Sequence, residues 1–168
     1  MDEYQFARGL DMRVLFEMVG DYNEVPPEFM KLGVLGPHTI FNHCTRLPEN
    51  TWKVFSDAGV NVTVNTRSDV LFGFDDEGVA YQQAIDYGFR PALGIDVETT
   101  YGGDMFGEMR ALFHQQRAAM RYRVLRKESK VPLPITVEAV LQAATVNGSR
   151  VIGLEHAVGT LAPGKKPT

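Results

Sequence analysis

Cysteine is nearly absent from this 168-residue chain. Its single cysteine, Cys44, has no partner for an internal disulfide, and no Cys-x-x-Cys or Cys/His pattern with zinc-finger spacing occurs. This scarcity excludes a disulfide-stapled scaffold and favours a reducing compartment, so we expect the protein to be cytoplasmic.

Long apolar runs and concentrated positive charge are also missing. No apolar run approaches the roughly 20 residues that cross a bilayer, and residues 1–4 do not begin a secretory signal. The 17 basic and 21 acidic residues give a formal net charge of −4. Basic residues gather only over 117–130, a stretch that also fits a helix. We therefore expect neither nucleic-acid nor membrane binding.

Hydrophobic residues make up 44% of the chain, enough for one globular core. Short β-branched runs alternate with longer amphipathic segments, which is typical of βα units around a parallel sheet. Strands are predicted at residues 12–19, 39–43, 60–65 and 90–95. Helices are predicted at residues 26–32, 48–58, 77–87, 104–125 and 136–148. Asp104 is suited to cap the long helix, and Gly59 to end the second one.

Five short motifs occur along the chain. Ala-Thr-Val-Asn-Gly-Ser begins at residue 144, and Gly-Thr-Leu-Ala-Pro-Gly-Lys begins at residue 159. Upstream lie Phe-Asn-His-Cys at 41–44, Val-Asn-Thr-Arg-Ser-Asp at 64–69 and Leu-Gly-Ile-Asp at 93–96. Together these resemble the end of the barrel in cytosine-deaminase-like amidohydrolases, the branch of the methylthioadenosine/S-adenosylhomocysteine deaminases and triazine hydrolases.

The resemblance implies an α/β fold: the C-terminal half, about four βα units, of a metal-dependent-hydrolase TIM-like barrel without the accessory β-sandwich. Residues 1–158 would form the half-barrel domain. Residues 159–168 would be a truncated tail leading into the missing sandwich. A half-barrel leaves sheet edges open, so we expect a homo-oligomer or pairing with a chain that supplies the other half. Residues predicted to face that interface are Leu15, Ile40, Phe41, Val62 and Leu93.

The family places a divalent ion where it makes hydroxide from bound water. The resemblance implies a His-x-His on a first strand, which this chain lacks, a fifth-strand His and an eighth-strand Asp as ligands. A sixth-strand His steers the water. In this chain Met18, whose thioether ligates poorly, stands at the position of the fifth-strand His. Asp96 stands at the position of the eighth-strand Asp and is a candidate metal ligand. His43 stands at the position of the sixth-strand His. Asp21 takes the place of the acid that shuttles protons, and Val64 replaces a seventh-strand His.

Catalytic zinc normally takes about three protein ligands. We therefore expect no cofactor in the isolated chain, and zinc or iron(II) only if another chain completes the site. A shift of one residue in the fifth strand would instead turn Glu17 inward and Met18 into the core, because neighbours in a strand face opposite sides. Glu17 or Asp21 could then divide acid and base roles with His43 and Asp96 without a metal.

The resemblance, taken with these residues, implies two possible functions. The first is a hydrolase or deaminase acting on C–N bonds of a small nitrogen heterocycle, with His43, Asp96, Asp21 and Glu17 as candidate catalytic residues. The alternative is a degenerate metal-free isomerase, cyclase or dehydratase, or a non-catalytic partner protein, on the same scaffold. Structural roles also remain open: His43 as a core histidine bonded to a carbonyl, and Asp96 as a turn residue bonding its own backbone.

Overall fold

A computed structural model describes residues 2–19, 27–74, 80–98 and 102–166. Its centre is a four-stranded sheet in the order β1-β2-β3-β4, in which every pair is parallel. The strands are β1 (Val14–Met18), β2 (Thr39–His43), β3 (Asn61–Val64) and β4 (Ala92–Leu93). Strand order follows chain order, as expected for successive βα units. The predicted parallel α/β architecture is therefore confirmed.

The helices are α1 (Asp2–Gly9), α2 (Pro27–Lys31), α3 (Glu49–Ala58), α4 (Thr66–Phe72), α5 (Tyr81–Asp86), α6 (Met105–Leu125), α7 (Val137–Gln142) and α8 (Gly148–Val151). Two predicted termini are confirmed. Gly59 ends α3 in the left-handed conformation at φ 68°, and the Asp104 carboxylate accepts a hydrogen bond from the Gly107 amide at the start of α6.

Other predictions of the elements were incomplete. Helices α1 and α4 were not predicted from the sequence, because short helices depend on tertiary contacts more than on propensity. The predicted helix over residues 77–87 is shorter, since α5 begins at Tyr81, and residues 77–79 lie outside the described part of the chain. The last predicted helix consists of α7, a π-helical turn over Ala143–Asn147, and α8.

Aromatic side chains fill the layer between the sheet and its helices. Phe41 of β2 is 1% exposed and stacks on Phe55 of α3, with ring centroids 4.1 Å apart. The ring of Phe16 in β1 stacks on the ring of Phe41, with centroids 5.6 Å apart. Trp52 of α3 lies parallel to the ring of Tyr87 at 6.0 Å. This layer is the main hydrophobic core, and it fixes the position of the sheet beneath α3, α5 and α6.

The five predicted interface residues do not share one face, and the prediction was wrong for three of them. Phe41, Val62 and Leu93 belong to the core under the helices. Ile40 packs on the opposite face with Ala92 and Val151. The error is physical: side chains alternate along a strand, so Ile40 and Phe41 cannot both point inward.

The C-terminal helices close the amino end of the sheet. The Asn147 amide donates to the carbonyl of Pro91 at 3.1 Å, directly before β4. The Arg13 guanidinium donates to the Val151 carbonyl at 2.9 Å and so joins α8 to the start of β1. The Asn-Gly motif that carried the resemblance therefore anchors the chain end to the sheet. Among the described helices, none combines the length and the apolar character that a bilayer span requires.

Candidate acid–base site

A row of polar side chains crosses three strands on the face opposite the main core. Glu17 pairs in register with Asn42, and Asn42 pairs with Thr63. The Thr63 hydroxyl donates to Asn42 Oδ1 at 2.6 Å, and Asn42 Nδ2 donates to Glu17 Oε2 at 3.0 Å. Since residues in register on neighbouring strands point to the same side, Glu17 lies on the face opposite the main core, near the carboxyl end of the sheet.

His43 ends β2 in an unusual backbone conformation. Its φ is 65°, and that of Cys44 is 57°, so two consecutive non-glycine residues adopt the left-handed region. Such conformations are sparsely populated and gather at functional sites. The Cys44 thiol is fully buried, and burial, followed by the charges of Asp69 and Glu17, raises its pKa well above the usual value. Cys44 is therefore a protonated core residue and not a nucleophile.

Two carboxylates hold the imidazole of His43, one at each ring nitrogen. Nδ1 lies 2.6 Å from Asp69 Oδ1, and Nε2 lies 3.0 Å from Glu17 Oε2. The Asp69 side chain is completely buried, whereas that of Glu17 is 58% exposed. One partner is thus fixed in the interior and the other reaches solvent. An imidazole that a buried carboxylate orients through one ring nitrogen is the usual arrangement of an acid–base histidine.

Electrostatics favour a protonated imidazole. Burial by itself lowers the pKa of His43, but the hydrogen bond and charge of Asp69, with the charges of Glu17 and Asp96, outweigh it and raise the pKa above its ordinary value. Burial also raises the pKa of Asp69, against the lowering effect of the His43 contact. The titrations of the two groups are therefore coupled, and their contact favours the protonated imidazole.

The short helix α4 places Asp69 behind the imidazole. The backbone amide of Asp69 donates to the Asn65 carbonyl at 2.9 Å in the first turn. Arg67, two residues earlier, donates through Nε to the buried Glu108 carboxylate of α6 at 2.5 Å and through its backbone amide at 3.0 Å. This charge-assisted contact fixes α4 against α6. Within the described residues, Asp69 Oδ2 is buried without a hydrogen-bond partner.

Asn65 connects the polar row to the imidazole. Its Nδ2 donates to Asn42 Oδ1 at 2.8 Å and lies 3.4 Å from His43 Nδ1. Asn42 Oδ1 thus accepts from both Thr63 and Asn65, which leaves its amide nitrogen facing Glu17. The orientation of the Glu17 carboxylate follows from this network.

We expect Gly94→Ala to destabilise the protein by about 1–3 kcal/mol, because overpacking forces side chains from their positions. A Cβ at Gly94 would stand 2.2 Å from Asn65 Oδ1. Urea unfolding followed by circular dichroism measures the change. Gly148→Ala is the matched control, since a Cβ there meets nothing within 4 Å and the backbone is helical; it should leave stability equal or raise it slightly. Equal stabilities of the two variants would contradict the close approach.

The structure brings together some of the predicted site residues. His43 and Glu17 are in direct contact, and Met18 lies in the core at 6% exposure. The assignment of Met18 to a metal-ligand position is therefore wrong, because its side chain faces the core. Glu17 faces the site instead, as in the alternative in which the fifth strand is shifted by one residue. Asp96 is exposed, has a φ of 65°, and acts through its charge on His43 and Asp69. Asp21 lies outside the described residues.

Asp69 and Asn42 were not predicted as site residues. Asp69 is the last residue of the motif at 64–69, and Asn42 directly precedes His43 in the motif at 41–44, but neither received a role from the sequence. Nothing in the local sequence shows that Asp69 faces His43, because 26 positions separate them along the chain. The contact depends on the parallel pairing of β2 with β3.

Donors for a metal ion are too few within the part of the chain that the structure describes. No group of three ligating side chains occurs there. Both ring nitrogens of His43 face carboxylates, and the thioether of Met18 is turned into the core. The residues present therefore do not fit a closed three-ligand zinc site.

Asp69→Asn should weaken the pH dependence of stability. A histidine whose pKa is raised in the folded state stabilises fully below its unfolded pKa of about 6.5, and this stabilisation is lost as pH rises through the folded value. The variant lacks the Asp69 carboxylate, whose hydrogen bond and charge are the largest causes of the rise, so the pKa of His43 in the folded variant should fall. Urea unfolding from pH 5 to 9 measures this, with His114→Gln, an exposed histidine, as control. An unchanged pH profile in Asp69→Asn would exclude the coupling.

The fold and this site define a class of protein: a parallel α/β sheet with a candidate acid–base site at the carboxyl ends of its strands. The sequence model of the amidohydrolase family matches residues 15–168, and the chain belongs to that family. It is 32% identical over 148 residues to a 5-methylthioadenosine/S-adenosylhomocysteine deaminase of Desulfitobacterium hafniense. That match covers 86% of this chain and 31% of the relative. The chain thus spans about a third of that relative's length.

Solved structures contain the same arrangement as part of a longer chain. A zinc-bound adenosine deaminase from Xanthomonas campestris superposes with a TM-score of 0.76 at 20% identity, over 96% of this chain and 37% of that one. Atrazine chlorohydrolase from Arthrobacter aurescens, complexed with zinc and atraton, gives a TM-score of 0.79 at 19% identity over 96% of this chain and 36% of that one. These similarities establish the fold: the four βα units form part of an amidohydrolase barrel, as predicted.

Proposed function

We propose that this chain carries the proton-transfer residues of a hydrolase or deaminase site that acts on a C–N bond of a nitrogen heterocycle. The observation that carries the proposal is the imidazole of His43 held between Asp69 and Glu17 at the carboxyl ends of the strands. Catalytic groups of barrel enzymes occupy that end. Deaminase names among the curated relatives support the same class of reaction.

Each residue has a distinct part in the proposed reaction. Asp69 orients the ring through Nδ1 and favours its protonated form. Glu17, which is largely exposed, leaves Nε2 when substrate arrives and accepts a proton from the attacking water as the water oxygen bonds to the ring carbon. The Nε2–H group donates its proton to the leaving nitrogen as the C–N bond breaks and ammonia departs, and the protonated Glu17 then returns its proton to Nε2. Asp96 contributes negative charge beside the developing ammonium group. General acid catalysis of this kind contributes about 10²–10⁴-fold to rate.

An ammonia-release assay with 5'-methylthioadenosine tests the proposal. The purified chain is assayed alone, with added zinc, and with a chelator. Ammonia release that His43→Gln abolishes supports a hydrolase. Absence of release in all three conditions contradicts hydrolysis of that substrate by this chain.

Metal-independent chemistry is the second candidate, as an isomerase, cyclase or dehydratase. The specific observation in its favour is the donor set: both imidazole nitrogens face carboxylates, and Met18 packs in the core. A carboxylate–imidazole–carboxylate arrangement moves protons without an ion. Zinc analysis of the purified protein separates the candidates. Stoichiometric zinc together with chelator-sensitive activity would exclude this second one.

We also propose that a second polypeptide covers the open part of the sheet, either another copy of this chain or one supplying the remaining barrel strands. Among the described strands, β1 and β4 each pair on one side only. Beside β1 lies a groove of about 620 Å³ whose lining includes Tyr4, Leu15 and Phe29, and Leu15 is 50% exposed. Light scattering measures the mass in solution, and a monomer at all concentrations would exclude self-association.

A further inference from the structure

Two phenylalanines extend the site from His43 toward solvent. The ring of Phe74 meets the imidazole of His43 edge-on, at 90° and 5.8 Å between centroids. The ring of Phe72 is stacked on that of Phe74 at 5.3 Å and 26°. Phe72 is 47% exposed. A continuous path of π-systems therefore runs from the buried imidazole to an open aromatic ring.

The last turn of helix α4 exposes apolar side chains instead of burying them. Val70, Leu71 and Phe72 are consecutive and are 55%, 56% and 47% exposed. In a helix, three consecutive positions point in widely different directions, so one of them would ordinarily face the core. Exposed apolar surface of this kind next to a polar site is typical of a binding surface.

We propose that Phe72 and Phe74 form the stacking platform for a planar nitrogen heterocycle. This inference rests on the proposed function and adds to it two residues that would hold the ring of the substrate. Aromatic rings prefer offset or edge-on neighbours with centroids 4.5–7 Å apart, and both observed ring pairs fall in that range.

Hydrogen-bonding groups at the platform's inner end favour a heterocycle over an aliphatic ligand. His43 Nε2 and the Glu17 carboxylate lie together there, and they offer a donor and an acceptor to ring nitrogens or exocyclic amines. Stacking alone tolerates any flat ring. The platform supplies affinity, and the polar pair selects rings that carry nitrogen.

Equilibrium binding of adenosine, measured by calorimetry on the full chain, tests the platform. Phe72→Ala should weaken adenosine binding about tenfold, in line with the loss of one stacking contact. Phe72→Tyr keeps the aromatic face and should bind within about threefold of the unaltered chain. Phe6→Ala is the matched control, because Phe6 is 72% exposed on α1 and should leave binding unchanged. Ribose, which lacks the heterocycle, should not bind measurably.

The binding measurement separates this inference from the proposed reaction. Adenosine binding that depends on Phe72, without ammonia release, would retain the platform and reject the deaminase. Equal affinities of the unaltered chain and Phe72→Ala would overturn the platform, as would no adenosine binding by the unaltered chain. Far-ultraviolet circular dichroism of every variant excludes loss of fold as the cause of a weakened affinity.

Discussion

Replacing His43 with glutamine is expected to lower turnover by about 10²–10⁴-fold in any reaction that this site catalyses, because general acid–base catalysis contributes a factor of that size. Glutamine keeps a hydrogen-bond donor for the buried Asp69 carboxylate but cannot exchange a proton near neutral pH. Steady-state kinetics of ammonia release measure the effect, and kcat should fall far more than KM rises.

The control for this substitution is His114→Gln, which changes an exposed histidine on α6. Its turnover should match that of the unaltered chain. If His43→Gln retained turnover within about threefold, His43 would be a structural histidine and the acid–base assignment would be rejected. A pH–rate profile adds an independent check: the limb that reports the imidazole should disappear in His43→Gln and persist in His114→Gln.

Phe41→Ala is expected to reduce the free energy of unfolding by about 3–5 kcal/mol, the usual cost of removing a buried aromatic ring. Phe41 is 1% exposed and stacks on both Phe55 and Phe16. Domains are stable by only about 5–15 kcal/mol, so this change removes a large share of the total. Urea unfolding monitored by the fluorescence of Trp52 measures it.

Phe6→Ala is again the matched comparison, since Phe6 is 72% exposed and its removal should change stability by no more than about 0.5 kcal/mol. A loss below 1 kcal/mol in Phe41→Ala would contradict the assignment of the Phe41 face to the main core. It would instead support the position of Phe41 at an interface with another chain, which the sequence indicated.

The sequence predicted the repeating elements well where a local signal was strong. Residues 39–43 coincide with β2, and Asp104 caps α6 as expected from its position before a long amphipathic segment. The signal was weak for α4, whose seven residues begin with a threonine and carry three exposed apolar side chains. Periodicity gives no stable indication over so short a segment. The helix that carries Asp69 was missed for this reason.

The site was predicted in part. His43 was identified from its place at the end of a strand and from the family pattern, and Glu17 entered as the alternative register. Asp69, 26 residues beyond His43, was not recognised. The side chain of Asn42 also had no assigned role, although it orients Glu17.

By itself, the sequence determined the class of fold, the order of the βα units and membership of the amidohydrolase family, because these depend on residue pattern and on motifs that are read along the chain. Tertiary structure alone decided which face of β1 carries Glu17 and which carboxylate stands behind His43. Both questions depend on strand register and on the direction of side chains at strand ends. A shift of one residue reverses the face of every side chain in a strand, so local pattern leaves them open and pairing with neighbouring strands settles them.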